Sequence, residues 1–453
     1  LAPLRLEQRV CQWSGAFFLL PCLSRKLLDS SPMPPESASR NHKIFIAALC
    51  FVLAVGIFLR LPASLFENNG AFQTLAVLHP NPAFTAIGFD EGLYREYVNS
   101  LARVGLTNYS DIVDHYIEVQ KTLTGSILPP TRFLYIFSAY LWHQIFGTEA
   151  LAALHDVASF FGILNLLLAT ALAWRMKGPG AALGVGALVA FAPTQLHMSQ
   201  HALVDGFFTF WALFVLWMFW ENLHAPRQWR WLLPFTLGLA LMVLTKENAA
   251  FVYVALLALL ALNRWLKWGT ITRELLACTF IGPLLGVVIL VFLAGGVETL
   301  SNSYRLSVGK NYELTYAILT GDGPWHRYIV DLMLVSPVVV ILALGAVFHL
   351  DFGKKPELFL TIFIAASYVV MCNLKYGMNL RYANMWDTPL RVLALGTLVS
   401  LTVRLPRYRN LALGGAIALL CVLDYRQYLV LFVRFPLYEL IPQGLLRALH
   451  ILK

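Results

Sequence analysis

Charge is scarce in this chain. Asp, Glu, Lys and Arg make up 13% of it against 58% hydrophobic residues, where an ordinary soluble domain carries about 25% charged residues. So little charge cannot cover a water-facing surface on all sides, which excludes a string of soluble domains. Long polar intervals are missing as well, since apolar runs succeed one another from Ile44 almost to the C-terminus with no polar break after Thr131. One membrane domain is therefore simpler than two or three soluble ones. Cysteine is sparse and unpatterned. Cys11, Cys22, Cys50, Cys278, Cys372 and Cys421 show no CxxC spacing, and several lie inside apolar runs, where a thiol behaves as a small hydrophobe. Neither a disulfide framework nor a zinc site is expected, and no HExxH, fixed-period repeat or low-complexity stretch occurs.

What charge there is has the wrong pattern for nucleic acid. The formal net charge is +9, but Lys and Arg come in pairs and triplets between apolar runs, as in cytoplasmic loops. A span needs about 20 apolar residues. Eleven runs are candidates: 44–61, 151–174, 181–199, 206–220, 231–244, 249–263, 275–295, 328–350, 358–371, 383–403 and 411–433. The expected fold is an all-α polytopic membrane protein of about 11 transmembrane helices. Its domain, 44–433, lies between an N-terminal tail (1–43) and a short C-terminal tail (434–453). Met33 opens MPPESASRNHK just ahead of the first span, so translation is expected to begin there. The apolar stretch Trp13–Leu23 then reads as an over-extended reading frame, or alternatively as a weak signal-peptide core.

The run Arg132–Gly147 decides the topology. If it lies in the interface, Arg40/Lys43, Arg175/Lys177, Arg227/Arg230, Arg264/Lys267/Arg273, Lys354/Lys355 and Arg404/Arg407/Arg409 all fall on the cytoplasmic side by the positive-inside rule. If it spans, the richest basic loops face outward. We read it as a juxtamembrane helix closing a long first outer loop, 62–147, in which another short helix begins near Ser110.

Polar residues then collect on the outer side. Gly88-Phe89-Asp90-Glu91 sets two carboxylates beside aromatics at the membrane surface, suited to a base in a partly dry site. The alternative is that Asp90 caps a helix over 91–101. Asp205 stands at the boundary between two spans and could likewise cap the helix starting at Gly206. Lys246-Glu247 interrupts an apolar stretch, where charge is usually paired or functional; otherwise it is a tight turn whose Lys snorkels to the headgroups. Asn373–Tyr382 puts Lys375 and Arg381 on a face that should be poor in cations. A phosphate at headgroup level would suit them, Arg gripping oxygens in pairs and Lys acting as a point charge; interfacial anchoring is the alternative. Asp111, Asp114, His115 and Glu118 share a helix face, either a metal site or a solvated surface. The loop 297–327 mixes Tyr304, Tyr312 and Trp325 with Arg305 and Asp322, which suits sugar stacking as well as an aromatic belt.

The order of these motifs resembles the polytopic GT-C glycosyltransferases of family 39 type, the group of protein O-mannosyltransferases and the aminoarabinose transferase that modifies lipid A. The carriers are Phe89-Asp90-Glu91, Phe146-Gly147, Ala192-Pro193 leading to Ala202-Leu203-Val204-Asp205, Gly238-Leu239-Ala240 running into Leu244-Thr245-Lys246-Glu247, and Leu380-Arg381-Tyr382. Leu128-Pro129-Pro130 stands where the family commonly has His-Pro-Pro. The resemblance, from Ile44 to about Arg391, implies an enzyme of the cell (plasma or inner) membrane with its site facing outward. It implies a polyprenyl-phosphate sugar as donor and a lipid, glycan or protein acceptor. Asp90 would be the general base of an inverting transfer, with Glu91 and Asp205 orienting substrate or base, Lys375 and Arg381 holding phosphate, and Lys246, Glu247 and Tyr382 completing the substrate side. Paired carboxylates and scattered histidines leave a divalent metal ion open. Two other classes remain: a transporter or flippase of lipid-linked sugars, favoured by polar residues buried mid-span, and a non-catalytic subunit of an envelope glycan assembly complex.

Overall fold

The computed structural model describes residues 35–434 except 68, 81–87, 315, 316, 319, 320, 352 and 376, with side chains from residue 42. Both expected tails lie largely outside the described residues, as does the Met33 start. The chain divides into two compact units at Ala48/Leu49, inside α1 (Pro35–Phe58), and every later helix belongs to the second unit.

Every regular element among the described residues is helical. After α1 come two 3-10 turns, then α2 (Phe89–Val104), α3 (Tyr109–Thr122) and α4 (Phe133–Phe146). The helix expected near Ser110 is α3. α4 has 14 residues, short of a crossing. It ends at Gly147, whose φ of 65° supplies the left-handed cap. α5 (Ala150–Lys177) then starts on an N-cap by Glu149, which accepts from the Leu151 amide at 2.8 Å.

The bundle continues through α6 (Pro179–Ala190), α7 (Pro193–Gln200), α8 (Val204–His224), α9 (Trp229–Val243), α10 (Ala249–Leu266), α11 (Arg273–Leu293) and α12 (Val297–Asn311). It closes with α13 (Arg327–Val335), α14 (Pro337–Phe348), α15 (Lys355–Met371), a 3-10 segment (Leu380–Trp386), α16 (Asp387–Thr402) and α17 (Arg409–Tyr428), which runs into a π-helical turn to Arg434. Among the described residues, α5, α8, α10, α11 and Arg409–Arg434 are long and apolar enough to cross a membrane.

Two expected spans are each two helices. The run 181–199 bends by 59° between α6 and α7, because Pro193 cannot donate into a continuing helix and pushes Ala192 into extended backbone. Buried Arg60 stabilises the break, donating to the carbonyls of Ala190 (3.0 Å) and Val189 (2.7 Å) at the end of α6. The run 328–350 breaks at Ser336-Pro337, where the proline likewise cannot donate into a continuing helix.

Close approach of α9 and α11 comes from Gly282 and Gly286, four residues apart on one face. A Cβ at Gly286 would lie 2.7 Å from the Ala240 carbonyl oxygen and 2.8 Å from Val243 Cβ. Gly286→Leu should therefore force the helices apart and lower stability by about 1–3 kcal/mol. A lower thermal midpoint of the purified protein would show it, with Gly414→Leu, where a Cβ meets nothing within 4 Å, as the unchanged control.

Apart from a small cluster between α14 and α16, apolar packing falls into a large cluster through the bundle and a second one that joins α2, α3 and α4 to the first turns of α5 and α8 and the last turn of α11. The second cluster is the platform on which the polar residues of α2 meet those of the bundle.

Candidate active site

Glycine at position 88 begins α2, in extended backbone, with no side chain to cap it. Glu91 in the first turn instead reaches back, accepting from the Gly88 amide at 2.8 Å. Asp90 is inside the helix and does not cap it, so its carboxylate is available elsewhere. Its Oδ2 accepts from Arg381 Nη1 at 2.8 Å, across 291 residues of sequence. Both side chains keep some exposure, 22% and 14%. Arg381 is presented by the 3-10 segment, whose start is capped by Asn379 Oδ1 accepting from the Arg381 amide at 2.9 Å.

The second carboxylate goes the other way, into the protein. Glu91 Oε1 accepts from the Ala202 amide at 2.9 Å and from His201 Nδ1 at 3.3 Å, with His155 Nε2 at 3.7 Å. Burial pushes its carboxyl up, but the hydrogen bond and charge of His201, the Gly88 amide and the charge of His155 outweigh that and bring it down to about 2. Glu91 thus stays ionised and pins α2 to the link between α7 and α8. The histidines, read from sequence as interfacial polar residues, are its partners.

Nor does Asp205 cap its helix: α8 begins one residue earlier, with Leu203 as N-cap. Asp205 Oδ1 instead accepts from Lys246 Nζ at 2.5 Å, both side chains almost fully buried. The Lys246 ammonium sits 4.0 Å from the centre of the Tyr382 ring, within cation–π range. Burial pulls Lys246 down, Asp205 pulls it up and Arg132 pushes it down again, leaving it at about 8. Snorkelling is thereby excluded for this lysine. Its neighbour Glu247 is gripped by Arg132, through Nη2 and through Nε at 3.2 Å. Arg132 Nη1 also donates to the Tyr94 hydroxyl at 2.9 Å.

One end of the bundle therefore gathers Asp90, Glu91, Asp205, Lys246, Glu247, Arg381 and Tyr382, with Asp90, Asp205 and Glu247 each paired to a cation. Lys375 stands apart, exposed and without a contact to this cluster among the described residues. Arg132 had no sequence signal beyond being a charge beside Pro129-Pro130. On α3, Asp111, Asp114, His115 and Glu118 are exposed, and Glu118 pairs with Lys121 at 2.8 Å, the solvated face rather than a metal site. Among the described residues no three or more His, Cys, Asp or Glu side chains are arranged to hold a metal ion.

Charge is also buried away from this cluster, although the sequence pattern placed it at one boundary. Arg391 Nε donates to both Asp387 oxygens (3.1 and 3.0 Å) and Nη1 to Asp424 Oδ2 at 2.6 Å. Asp424 lies 33 residues downstream on another helix, so no local pattern announces the triad.

The family model described as dolichyl-phosphate-mannose-protein mannosyltransferase matches residues 139–299. That stretch, just over a third of the chain, holds Asp205, Lys246 and Glu247 and leaves out α2 and Arg381. No curated protein matches the chain in sequence. Among solved structures, ArnT from Cupriavidus metallidurans bound to undecaprenyl phosphate superposes with a TM-score of 0.54 at 16% identity, covering 81% of this chain and 63% of that one. The Archaeoglobus fulgidus oligosaccharyltransferase in the apo form gives 0.54 at 13% identity, over 89% and 55%. AglB from the same organism, in complex with an inhibitory peptide and a dolichol-phosphate, gives 0.52 at 14% identity, over 90% and 56%. The chain has the GT-C fold. It spans 55% to 63% of the length of these solved GT-C structures. Within the GT-C fold, α2 to α4 form the platform and the link from α7 to α8 brings Asp205 to the site end.

Proposed function

We propose that this GT-C protein is a membrane glycosyltransferase that moves a sugar from a polyprenyl-phosphate donor to an acceptor hydroxyl on the outer face of the membrane, with inversion. The observation that carries the reading is the Asp90–Arg381 pair: a carboxylate and a guanidinium in contact, both still partly open, beside the buried Asp205–Lys246 pair and the Arg132–Glu247 pair, whose guanidinium is buried and whose carboxylate is exposed. Undecaprenyl phosphate and dolichol-phosphate bound to the two neighbours support a lipid phosphate as the ligand class.

The pair suggests its own order of events. A donor phosphate competes with Asp90 for Arg381, since a guanidinium can grip two phosphate oxygens, and taking Arg381 releases the Asp90 carboxylate. Asp90 then accepts the acceptor's hydroxyl proton while that oxygen bonds to the anomeric carbon. The bond from that carbon to the phosphate oxygen breaks, and its electron pair leaves with the lipid phosphate, whose growing charge Arg381 stabilises. No second carboxyl is required, because the leaving phosphate is already anionic, unlike the alkoxide of glycoside hydrolysis. Glu91 orients Asp90 by fixing α2. Lys246, Asp205, Glu247 and Tyr382 shape the sugar side of the site, and Lys375, on the loop before Arg381, supplies a second positive charge near the headgroups.

Membranes carrying the protein, incubated with a panel of radiolabelled polyprenyl-phosphate sugars, should move label from one donor into an acceptor fraction. Absence of turnover with every donor, together with label crossing the bilayer on its lipid, would replace this reading by a flippase. The rate should also have an alkaline limb. Lys246 loses its proton near pH 8, and from there upward Asp205 faces a neutral amine, so transfer falls as pH rises. Lys246→Arg keeps its charge to far higher pH and should move that limb upward in the pH–rate profile.

A further inference from the structure

The Asp90–Arg381 contact is partly exposed and joins segments 291 residues apart, so water and salt weaken it and something firmer must hold the two segments in register. The short helix α7 is placed to do this. All eight of its residues are buried. At its C-terminal end the His201–Ala202 link is bound by Glu91, the residue next to Asp90. From its first turn, Gln195 Nε2 donates to Asn384 Oδ1 at 3.0 Å, and Asn384 sits three residues after Arg381 in the 3-10 segment. With three residues per turn, Arg381 and Asn384 share one edge of that segment, so holding Asn384 fixes the direction in which Arg381 leaves it. Gln195 is itself held by Asn165 of α5, whose Nδ2 donates to Gln195 Oε1 at 2.6 Å.

This amide chain is an expensive way to join three elements. Asn165, Gln195 and Asn384 are 1–3% exposed, and at its ends Asn165 Oδ1 and Asn384 Nδ2 have no partner among the described residues. Buried polar groups left half-satisfied cost more than apolar contacts of the same shape. Packing alone would be better served by leucine.

We propose that Gln195, through Asn384, is a positioning residue that sets Arg381 against Asp90, so that α7 serves as the common base for the cation and the carboxylate of the site. The proposal rests on the reading of Asp90 and Arg381 as the reacting pair, but its geometry can be tested without any activity. With Asp90→Cys and Arg381→Cys in one chain, a short bifunctional methanethiosulfonate reagent should link α2 to the 3-10 segment in isolated membranes. Adding Gln195→Leu should lower the linked fraction several-fold, at equal amounts of inserted protein.

In the otherwise unaltered protein, Gln195→Leu should lower kcat for transfer about tenfold or more with donor KM changed less than twofold, since a misplaced group costs rate more than binding. The exchange Gln195→Asn with Asn384→Gln restores the summed length of the two amides and should recover most of the rate and of the cross-link, which also covers the case in which Gln195→Leu fails to insert. An unchanged linked fraction in Gln195→Leu, or failure of the exchange to recover it, overturns the positioning role. A changed linked fraction in a protein that turns over no donor would leave positioning standing and remove the transferase reading instead.

Discussion

Asp90→Asn is expected to lower sugar transfer by about 10²–10⁴-fold, the usual worth of a positioned base, while binding of the bare lipid phosphate becomes tighter. The two effects have one cause. In the resting protein the Asp90 carboxylate occupies Arg381, so an arriving phosphate must displace it. Asparagine keeps the shape and an acceptor oxygen but neither the negative charge nor the basicity. Arg381 is then held less firmly, which favours the phosphate, and the acceptor hydroxyl has no group to take its proton. Arg381→Ala should weaken phosphate binding and slow transfer together. Label transfer from radiolabelled donor and equilibrium binding of sugar-free polyprenyl phosphate separate the two quantities. Full transfer by a stably inserted Asp90→Asn protein would sink the assignment of Asp90 as base, and weaker phosphate binding by it would sink the competition for Arg381.

Much of this arrangement was legible in the sequence because charge stands out in an apolar chain. Asp90, Glu91, Asp205, Lys246, Glu247 and Arg381 interrupt hydrophobic surroundings, and the structure brings all six to one end. Their pairing was not legible. Asp90 and Asp205 each sit at a helix start and read equally well as caps. Gly88 and Leu203 take the N-cap positions instead, each two residues earlier than the aspartate, and free both carboxylates for distant cations. Arg132 and the histidines around Glu91 carried no local signal, since their meaning depends on contacts made over roughly a hundred residues of sequence. The breaks inside 181–199 and 328–350 did have a signal in Pro193 and Pro337, but hydropathy runs through both prolines and hides the bend. That bend creates α7, so the element that joins Glu91 to Asn384 is the one a span-by-span reading erases.

Removing one partner of the Asp205–Lys246 pair should be the most damaging change to stability. Both groups are nearly inaccessible to water, and stripping the partner from a buried charge costs about 3–5 kcal/mol. In Asp205→Ala the stranded ammonium can lower that cost by giving up its proton, and it already sits near pH 8 in the intact pair. The sign of the pH dependence is then set. With the folded pKa held below the unfolded value, the unfolded chain binds more protons between the two, so stability rises with pH through that window. Asp205→Ala should therefore be most destabilised at acid pH and recover relative to wild type as pH rises toward about 8, because losing Asp205 removes the charge that raises Lys246 and drops its folded pKa below that of the intact pair, read as the thermal midpoint across a pH series. Asp205→Leu with Lys246→Met removes both charges at similar volume and should regain most of the lost stability at pH 7, as apolar replacements of buried ion pairs commonly do. It should not regain transfer, because the cation beside Tyr382 and the carboxylate beneath the site are both gone. A double variant that transfers sugar at the wild-type rate would reduce the pair to scaffolding, and an Asp205→Ala protein whose stability falls as pH rises would show that Lys246 is not the charge left stranded.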